Sequence, residues 1–287
     1  MHFMMAGLPA FDMTLTFPSV HVPFGVYFSQ TGGKHNRIRR CTHECITPLS
    51  WVFPNILVSI MRGYLPGVSA WICRVVLELV RGEGIMRGNV SGLVLAAGLS
   101  SRMGDYKPLM PLRGKTVIEN TVDSLLQGDA SQVVVVLGYR GKEVESLLRK
   151  CYPEGRVRVV YNHSYATTDM LHSIKLGLSS LPDCEAFFLL PGDMPVVSRE
   201  TFFLLRCAMP WDRPSIVFPT LSGYRKHPPL VDARFVDAIK NYSGPNGLRG
   251  FWRLHEDAVV TVPVDDQGCW CDLDTFDQYR DCVRLYQ

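Results

Sequence analysis

Arg102 and Lys107 lie in the stretch GLVLAAGLSSRMGDYKPLMPLRGK, residues 92–115, which opens as an apolar run and passes into small residues. Leu93 to Ala97 can sit buried in a parallel sheet, and the Gly and Ser residues that follow let backbone N–H groups approach a phosphate closely. Arginine offers a planar fork of donors and lysine a compact point charge. Together they suit a triphosphate whose charge is held while one phosphorus is attacked. A generic Gly-rich loop with two solvated cations is the plainer reading of such a string taken alone.

Carboxylates complete the set. In LLPGDMP, residues 189–195, an apolar strand ends by presenting Asp193 from a Pro/Gly-framed turn, a suitable ligand position for a hard cation such as Mg²⁺. The plainer role there is an Asp that bonds its own backbone in a turn. In DLDT, residues 272–275, Asp272 and Asp274 alternate along an extended segment and so face one side, where both can reach a metal. Asp272 is assigned as the second ligand, because Asp274 or Thr275 is also placed to cap a helix from Phe276 to Cys282. Asp265 and Asp266, beside Gly268, read as turn residues, and His172 reads as a structural or surface residue.

From Val90 onward apolar strands alternate with amphipathic helical stretches, the pattern of an α/β layer fold with a mostly parallel sheet. The strands are predicted at Gly92–Ala97, Gln132–Leu137, Arg156–Tyr161, Ala186–Leu190, Ser215–Pro219 and Ala258–Val262. Thr116 with Glu119 forms a capping box, Asp169 caps a helix running through Ser180, and Ser198 caps one running through Cys207. Ligands of such sheets collect beyond the carboxyl ends of the strands, where Ala97, Leu137 and Leu190 deliver their loops.

The opening string fills every position of L-A-A-G-x-S-x-R-M-G followed by K-x-L-x-P-L-x-G, and so resembles the nucleotidyltransferases of the molybdenum-cofactor type. The resemblance continues through VVVVLGYRGKEVESLL at 133–148, LLPGDMPVV at 189–197, HPPLV at 227–231 and DLDTFDQY at 272–279, covering roughly residues 90–287. It implies a three-layer α/β/α Rossmann-like domain of the glycosyltransferase-A kind over residues 86–287. It also implies Mg²⁺ held by Asp193 and Asp272, and catalysis by Lys107 and Arg102, with Lys107 at the α-phosphate and Arg102 on the outgoing pyrophosphate. The nucleotide would be bound by Leu95, Ala96, Ala97, Gly98, Ser100, Ser101, Arg102, Gly104 and Lys107. Asn162 and Asp193 complete that set. Ser173, Lys226 and His227 would line the acceptor side. In this family the second small residue of the motif separates subgroups, Ala accompanying cytidylyl transfer and Gly guanylyl transfer, so Ala97 points to CTP.

Two departures from the family pattern stand out. Relatives often carry a Gly and a run of small residues before the helix Ser, whereas Thr167 to His172 precede Ser173 here, and a family Gly is replaced by Lys226. Lys226 could add a cation for the terminal phosphate of a pterin acceptor or mark a different acceptor. His227, before two prolines, could contact substrate or simply be packed.

What the resemblance implies is attack by the terminal phosphate of a molybdenum-bound pterin on the α-phosphorus of CTP, with release of pyrophosphate. An ionised phosphate needs no strong general base, so positioning and charge neutralisation carry the reaction. Guanylyl transfer to the same acceptor, cytidylyl or uridylyl transfer to a sugar or alditol phosphate, and a non-catalytic cofactor-binding chaperone serving a molybdoenzyme partner are the alternatives.

The bulk properties bound these readings. A chain of 287 residues, 47% of them hydrophobic, can bury a substantial core. Residues 1–85 hold seven Lys/Arg against four Asp/Glu, which accounts for the whole net charge of +3. The rest has no basic excess, so no nucleic-acid partner is expected. Nine cysteines, an odd count with no cleavable signal peptide before them, fit a reducing cytoplasm, and the Cys41/Cys45 and Cys269/Cys271 pairs read as ordinary thiols rather than zinc ligands.

Residues 1–85 show scattered prolines and no sustained helical or strand period, and no fold is assigned to them. The uncharged run Cys45 to Met61 is short for a bilayer span and broken by Pro48 and Pro54, so no membrane anchor is expected. Because the resemblance starts just after Met86, translation is expected to begin there, a targeting or docking extension being the rival. Native peptides from before Met86, found by mass spectrometry, would exclude the first.

Overall fold

The structure, a computed structural model of the chain, describes residues 11–17, 20–26, 88–99 and 105–286. Strands β1 (Phe11–Phe17) and β2 (Val20–Val26) form an antiparallel pair by themselves, with Phe11 opposite Val26 and Leu15 opposite Val22. This corrects the expectation of no strand period upstream. Phe11, Met13, Leu15 and Phe17 alternate with Asp12, Thr14 and Thr16, and Pro18–Ser19 connects the two runs. The apolar run Cys45–Met61 and the Cys41/Cys45 pair lie outside the described residues. Among the described residues no helix is long and apolar enough to cross a membrane.

The larger unit follows the chain order β3 (Val90–Ala96), β4 (Pro111–Leu112), β5 (Lys115–Thr116), α1 (Val117–Gln127), β6 (Val133–Leu137), α2 (Gly141–Cys151), β7 (Val157–Tyr161), α3 (Met170–Leu178) and β8 (Ala186–Pro191). It continues through α4 (Arg199–Ala208), β9 (Ile216–Leu221), β10 (Tyr224–Arg225), β11 (Leu230–Asp232), α5 (Val236–Asn241), α6 (Gly247–Leu254), β12 (Val259–Pro263) and α7 (Phe276–Tyr286). Strands β7, β6, β3 and β8 lie side by side and parallel; β11 follows β8 antiparallel, then β9, with β12 parallel to β9 on its far edge. All six strands expected from the sequence are present. The short antiparallel strands β10 and β11 were not expected, because two or three residues cannot show a period.

Successive strand residues feed opposite faces, as the period of two requires. Val94, Val135, Phe188 and Leu230 pack with α1, α2 and α4, while Leu93, Val134, Phe187 and Val231 pack with α3, α5 and α6. The sheet is therefore buried on both sides, which is why its central strands read as continuous apolar runs. The result is the three-layer α/β/α arrangement. Phe187, Phe188, Phe202 and Phe251 are among the largest fully buried side chains, each stabilising the fold by about 1.5–3 kcal/mol relative to exposure.

The caps follow the sequence. Thr116 and Glu119 exchange bonds at the start of α1, His172 N–H donates to Asp169 at 3.0 Å, and Thr201 N–H donates to Ser198 at 3.3 Å. At α7 the cap is Thr275, whose hydroxyl accepts from Gln278 N–H at 3.2 Å while its own N–H donates to the Gln278 side chain at 2.7 Å. Asp274 is thereby released from capping. A small cluster of Met110, Leu112, Val117, Val196, Leu273 and Cys282 seats α7 and the segment before it against the rest of the domain.

Candidate active site

After β3 the chain builds outward through β6 and β7, then returns to place β8 on the other edge of β3. That reversal leaves a crevice at the carboxyl ends of β3 and β8, the place where open α/β sheets bind ligands. A cavity of about 270 Å³ fills it. Leu95, Ala96, Ala97 and Gly98 form one wall, Pro191, Gly192 and Asp193 the opposite one, and Lys107 enters from its 3-10 turn. Thr168, Asp169, Met170 and Ser173 close the remaining side from the start of α3.

Glycine is required where the two walls meet. A Cβ on Gly192 would stand 2.9 Å from Ala96 Cβ and 3.0 Å from the Leu95 carbonyl, and the Gly192 N–H donates to that carbonyl at 2.9 Å. Gly138, after β6, is held as tightly: its Cβ would lie 2.5 Å from the Ala97 carbonyl. Both positions let neighbouring strand ends approach backbone to backbone.

Lys107 is buried, and its ammonium donates to Asp193 Oδ2 at 3.2 Å and to Asp274 Oδ1 at 2.9 Å. Asp274 is brought there by its neighbour. Leu273 is buried, and its N–H donates to the Asp193 carbonyl at 3.2 Å, so the chain before α7 is stitched to the loop after β8. Asp272 stands close enough for burial first, and then the charges of Asp274 and Asp193, to push its carboxyl above the usual range. Two carboxylates thus hold one ammonium, with a third near enough for their charges to act on it. Among the described residues no three Asp, Glu, His or Cys side chains form a complete metal-binding group. The donor set nevertheless suits Mg²⁺, which takes one or two carboxylates and completes its shell with phosphate oxygens and water.

Asn162 is buried at the end of β7 and fully engaged. Its amide donates to Thr168 Oγ1 at 3.1 Å and Ser173 Oγ at 3.0 Å, and its oxygen accepts from Ser164 N–H at 3.0 Å. It braces the loop and helix start that line the cavity. Ser100, Ser101, Arg102 and Gly104 lie outside the described residues.

A second cavity, of about 660 Å³, begins at Met194, directly after Asp193, and is bounded by Asp272 and Gln278. Lys226 and His227 line it, as do Arg225, Arg249 and Arg253. His227 is exposed to this cavity, and desolvation by the protein packed around its ring lowers its pKa from the ordinary value. Arg249, Arg253, Trp252 and Trp270 carried no signal in the sequence reading. The only available one was the i, i+4 spacing of the two arginines beside Trp252 in GLRGFWRL. His172 is exposed and Asp266 is a turn residue, accepting from Ser198 N–H at 2.8 Å and Gly268 N–H at 2.8 Å, both as expected. Cys269 and Cys271 are thiols.

A crevice at a topological switch point, with a lysine beside carboxylates and a second basic cavity adjoining, is the arrangement of an α/β nucleotidyltransferase, and the sequence family agrees. The MobA-like NTP transferase domain matches residues 92–259, and the chain belongs to that family. It is 30% identical over 195 residues to a molybdenum cofactor cytidylyltransferase of Escherichia coli (strain K12), covering 68% of this chain and 95% of the relative. It is also 30% identical over 199 residues to nicotine blue oxidoreductase of Paenarthrobacter nicotinovorans, covering 67% of this chain and 95% of that protein. A solved nucleotidyl transferase from Methanothermobacter thermautotroptrophicus shares the fold at a TM-score of 0.59 and 24% identity, over 69% of this chain and 97% of the other. Relatives of equal identity thus bear names of different reactions.

Proposed function

We propose that the chain transfers CMP from CTP to the terminal phosphate of a molybdenum-bound pterin, releasing pyrophosphate. The observation that carries this reading is Lys107, held between Asp193 and Asp274 where the small cavity meets the large basic one. CTP would occupy the crevice between β3 and β8, with Leu95, Ala96, Ala97 and Gly98 against it and Ala97 favouring cytosine. Ser100, Ser101, Arg102 and Gly104 would continue that phosphate-binding loop. Asn162 would act through the loop it braces, and Ser173 through the wall it shares.

An ionised acceptor oxygen would attack the α-phosphorus as the bond from that phosphorus to the bridging oxygen breaks, the electron pair leaving with pyrophosphate. Lys107 would answer charge on the α-phosphate and Arg102 charge on the leaving group. Asp193 and Asp272, with Asp274 beside them, would hold Mg²⁺, which supplies charge neutralisation to the phosphates when bound. The acceptor would enter from the side of Lys226 and His227. A cytoplasmic setting and a molybdoenzyme as recipient of the product belong to the same reading.

The test incubates the full-length chain with Mg²⁺, the molybdenum-pterin cofactor and each labelled triphosphate in turn, and measures pyrophosphate release. Turnover with CTP well above that with GTP, UTP or ATP supports the proposal. Preference for GTP, or for a sugar phosphate acceptor, would replace it. Cofactor binding without turnover would favour a carrier role.

A further inference from the structure

The segment before α7 has two faces. Cys271 and Leu273 pack into the apolar cluster beneath α7, whereas Asp274, alternating with them, meets Lys107. Cys282 belongs to the same cluster from α7 itself, and the Cys271 thiol donates a hydrogen bond to its sulfur. Cys271 is half-buried and Cys282 buried, and both are thiols. A third cavity, of about 160 Å³, is lined by both cysteines together with Trp270, Asp272 and Gln278. The last three also border the large basic cavity, so the segment from Trp270 to Asp272 is a partition between the two spaces. Liquid water takes about 30 Å³ per molecule, so the third cavity admits an oxidant of a few atoms and not a peptide disulfide.

We propose that Cys271 and Cys282 form a peroxide-sensitive dithiol, and that closing their disulfide draws Asp272 out of the carboxylate cluster. The redox step goes beyond the transferase reading; its effect on Asp272 rests on the metal-ligand role assigned there. The Cys282 sulfur attacks one oxygen of hydrogen peroxide, the O–O bond breaks, and the departing hydroxide takes the proton Cys282 gave up and leaves as water. Cys282 is then a sulfenic acid. The Cys271 sulfur attacks it, the S–O bond breaks, and the second hydroxide leaves with the Cys271 proton. Two thiols and one peroxide thus give one disulfide and two waters, and a dithiol reductant reverses the bond by exchange. The hydrogen bond from Cys271, and then the charge of Arg113, hold the Cys282 thiol below its usual pKa against the effect of burial, the setting of a reactive thiol. A disulfide is about 2 Å long, shorter than a hydrogen-bond contact between sulfurs, so closure pulls Cys271 towards α7. Asp272, the next residue, must follow.

Peptide mass spectrometry on the full-length chain, treated with hydrogen peroxide and then alkylated, tests the first half. Trypsin cleaves after Arg280 and so leaves the two cysteines on separate peptides. A Cys271–Cys282 cross-link is expected, reversed by dithiothreitol and formed far more slowly with glutathione disulfide. Melting curves with Mg²⁺ alone test the second half: the oxidised chain should gain less from the ion than the reduced chain. Pyrophosphate release should fall by about tenfold or more on oxidation and return with dithiothreitol. Cys282→Ala and, separately, Cys271→Ser should leave Mg²⁺ gain unaffected by peroxide. A natural chain that stays reduced, or that links Cys282 to Cys269 instead, would overturn the dithiol. Equal oxidation by glutathione disulfide would overturn its selectivity for peroxide, and an unchanged Mg²⁺ gain in the cross-linked chain would overturn the coupling to Asp272. A reduced chain that gains nothing from Mg²⁺ would count against the metal reading and with it the coupling, while the cross-link decides the dithiol by itself.

Discussion

The Lys107 ammonium lies 2.9 Å from Asp274, a residue 167 positions further along the chain. The pair closes the domain across its site and sets the only cation of the carboxylate cluster among the described residues. Lys107→Met should lower turnover by about 100- to 1,000-fold, as expected for removing a charge aimed at the transition state. A pyrophosphate-release assay checks this, and a kcat within twofold of the natural chain would remove Lys107 from the reaction.

Asp193 sits on a turn, while its neighbour Met194 carries the buried contact there. Asp193→Ala should therefore abolish turnover and leave the melting temperature within about 2 °C. Circular dichroism and the same assay separate the two effects. Unchanged activity would refute a metal-ligand role.

Asp272 should show its cost in the metal-free protein. Burial and the nearby Asp274 and Asp193 raise its folded pKa above the unfolded value. Its ionised form therefore destabilises the fold fully above the folded pKa, and the penalty fades as pH falls to the unfolded value. Asp272→Asn should melt higher than the natural chain at neutral pH without metal, converge with it in acid, and gain less from added Mg²⁺. Melting curves across pH with and without Mg²⁺ decide; parallel curves at every pH would sink the argument.

Asn162→Ala removes two donors and one acceptor from a buried brace. It leaves the Ser164 N–H without its partner, at a cost of about 1–3 kcal/mol, or about 2–4 °C of melting temperature for each kcal/mol. The Michaelis constant for the triphosphate should rise with it. A stability loss with no change in that constant would make Asn162 purely structural.

Gly192→Ala puts a methyl group into the space between β3 and β8. Overpacking of this kind costs about 1–3 kcal/mol, and here it also displaces the loop bearing Asp193. Turnover should fall together with thermal stability, and a fully active, equally stable variant would show that the crevice has slack.

The parallel strands were legible because burial on both faces writes them as unbroken apolar runs such as Val133–Leu137. β11 was not, since Leu230–Asp232 is three residues behind two prolines and its pairing is settled only by the strands on either side. Period two put Asp272 and Asp274 on one side. It could not show which of them meets Lys107, because that depends on Leu273 N–H reaching the Asp193 carbonyl, a contact distant in sequence. Arg249 and Arg253 were equally silent: charged residues at helical spacing read as a solvated face until the cavity in front of them is known.

β11 runs against its neighbours, so its beginning, not its end, arrives at the carboxyl end of β8. Lys226 and His227 are delivered there by a strand that contributes nothing to the crevice between β3 and β8. The sheet is in effect two modules sharing one seam at Asp193: on the proposed reading β3, β6 and β7 would handle the donor, while β9, β11 and α6 would handle what receives it. Substitutions in one module can retune the acceptor without disturbing the other, which gives a physical reason why a single fold can diversify its chemistry while the nucleotide half stays recognisable.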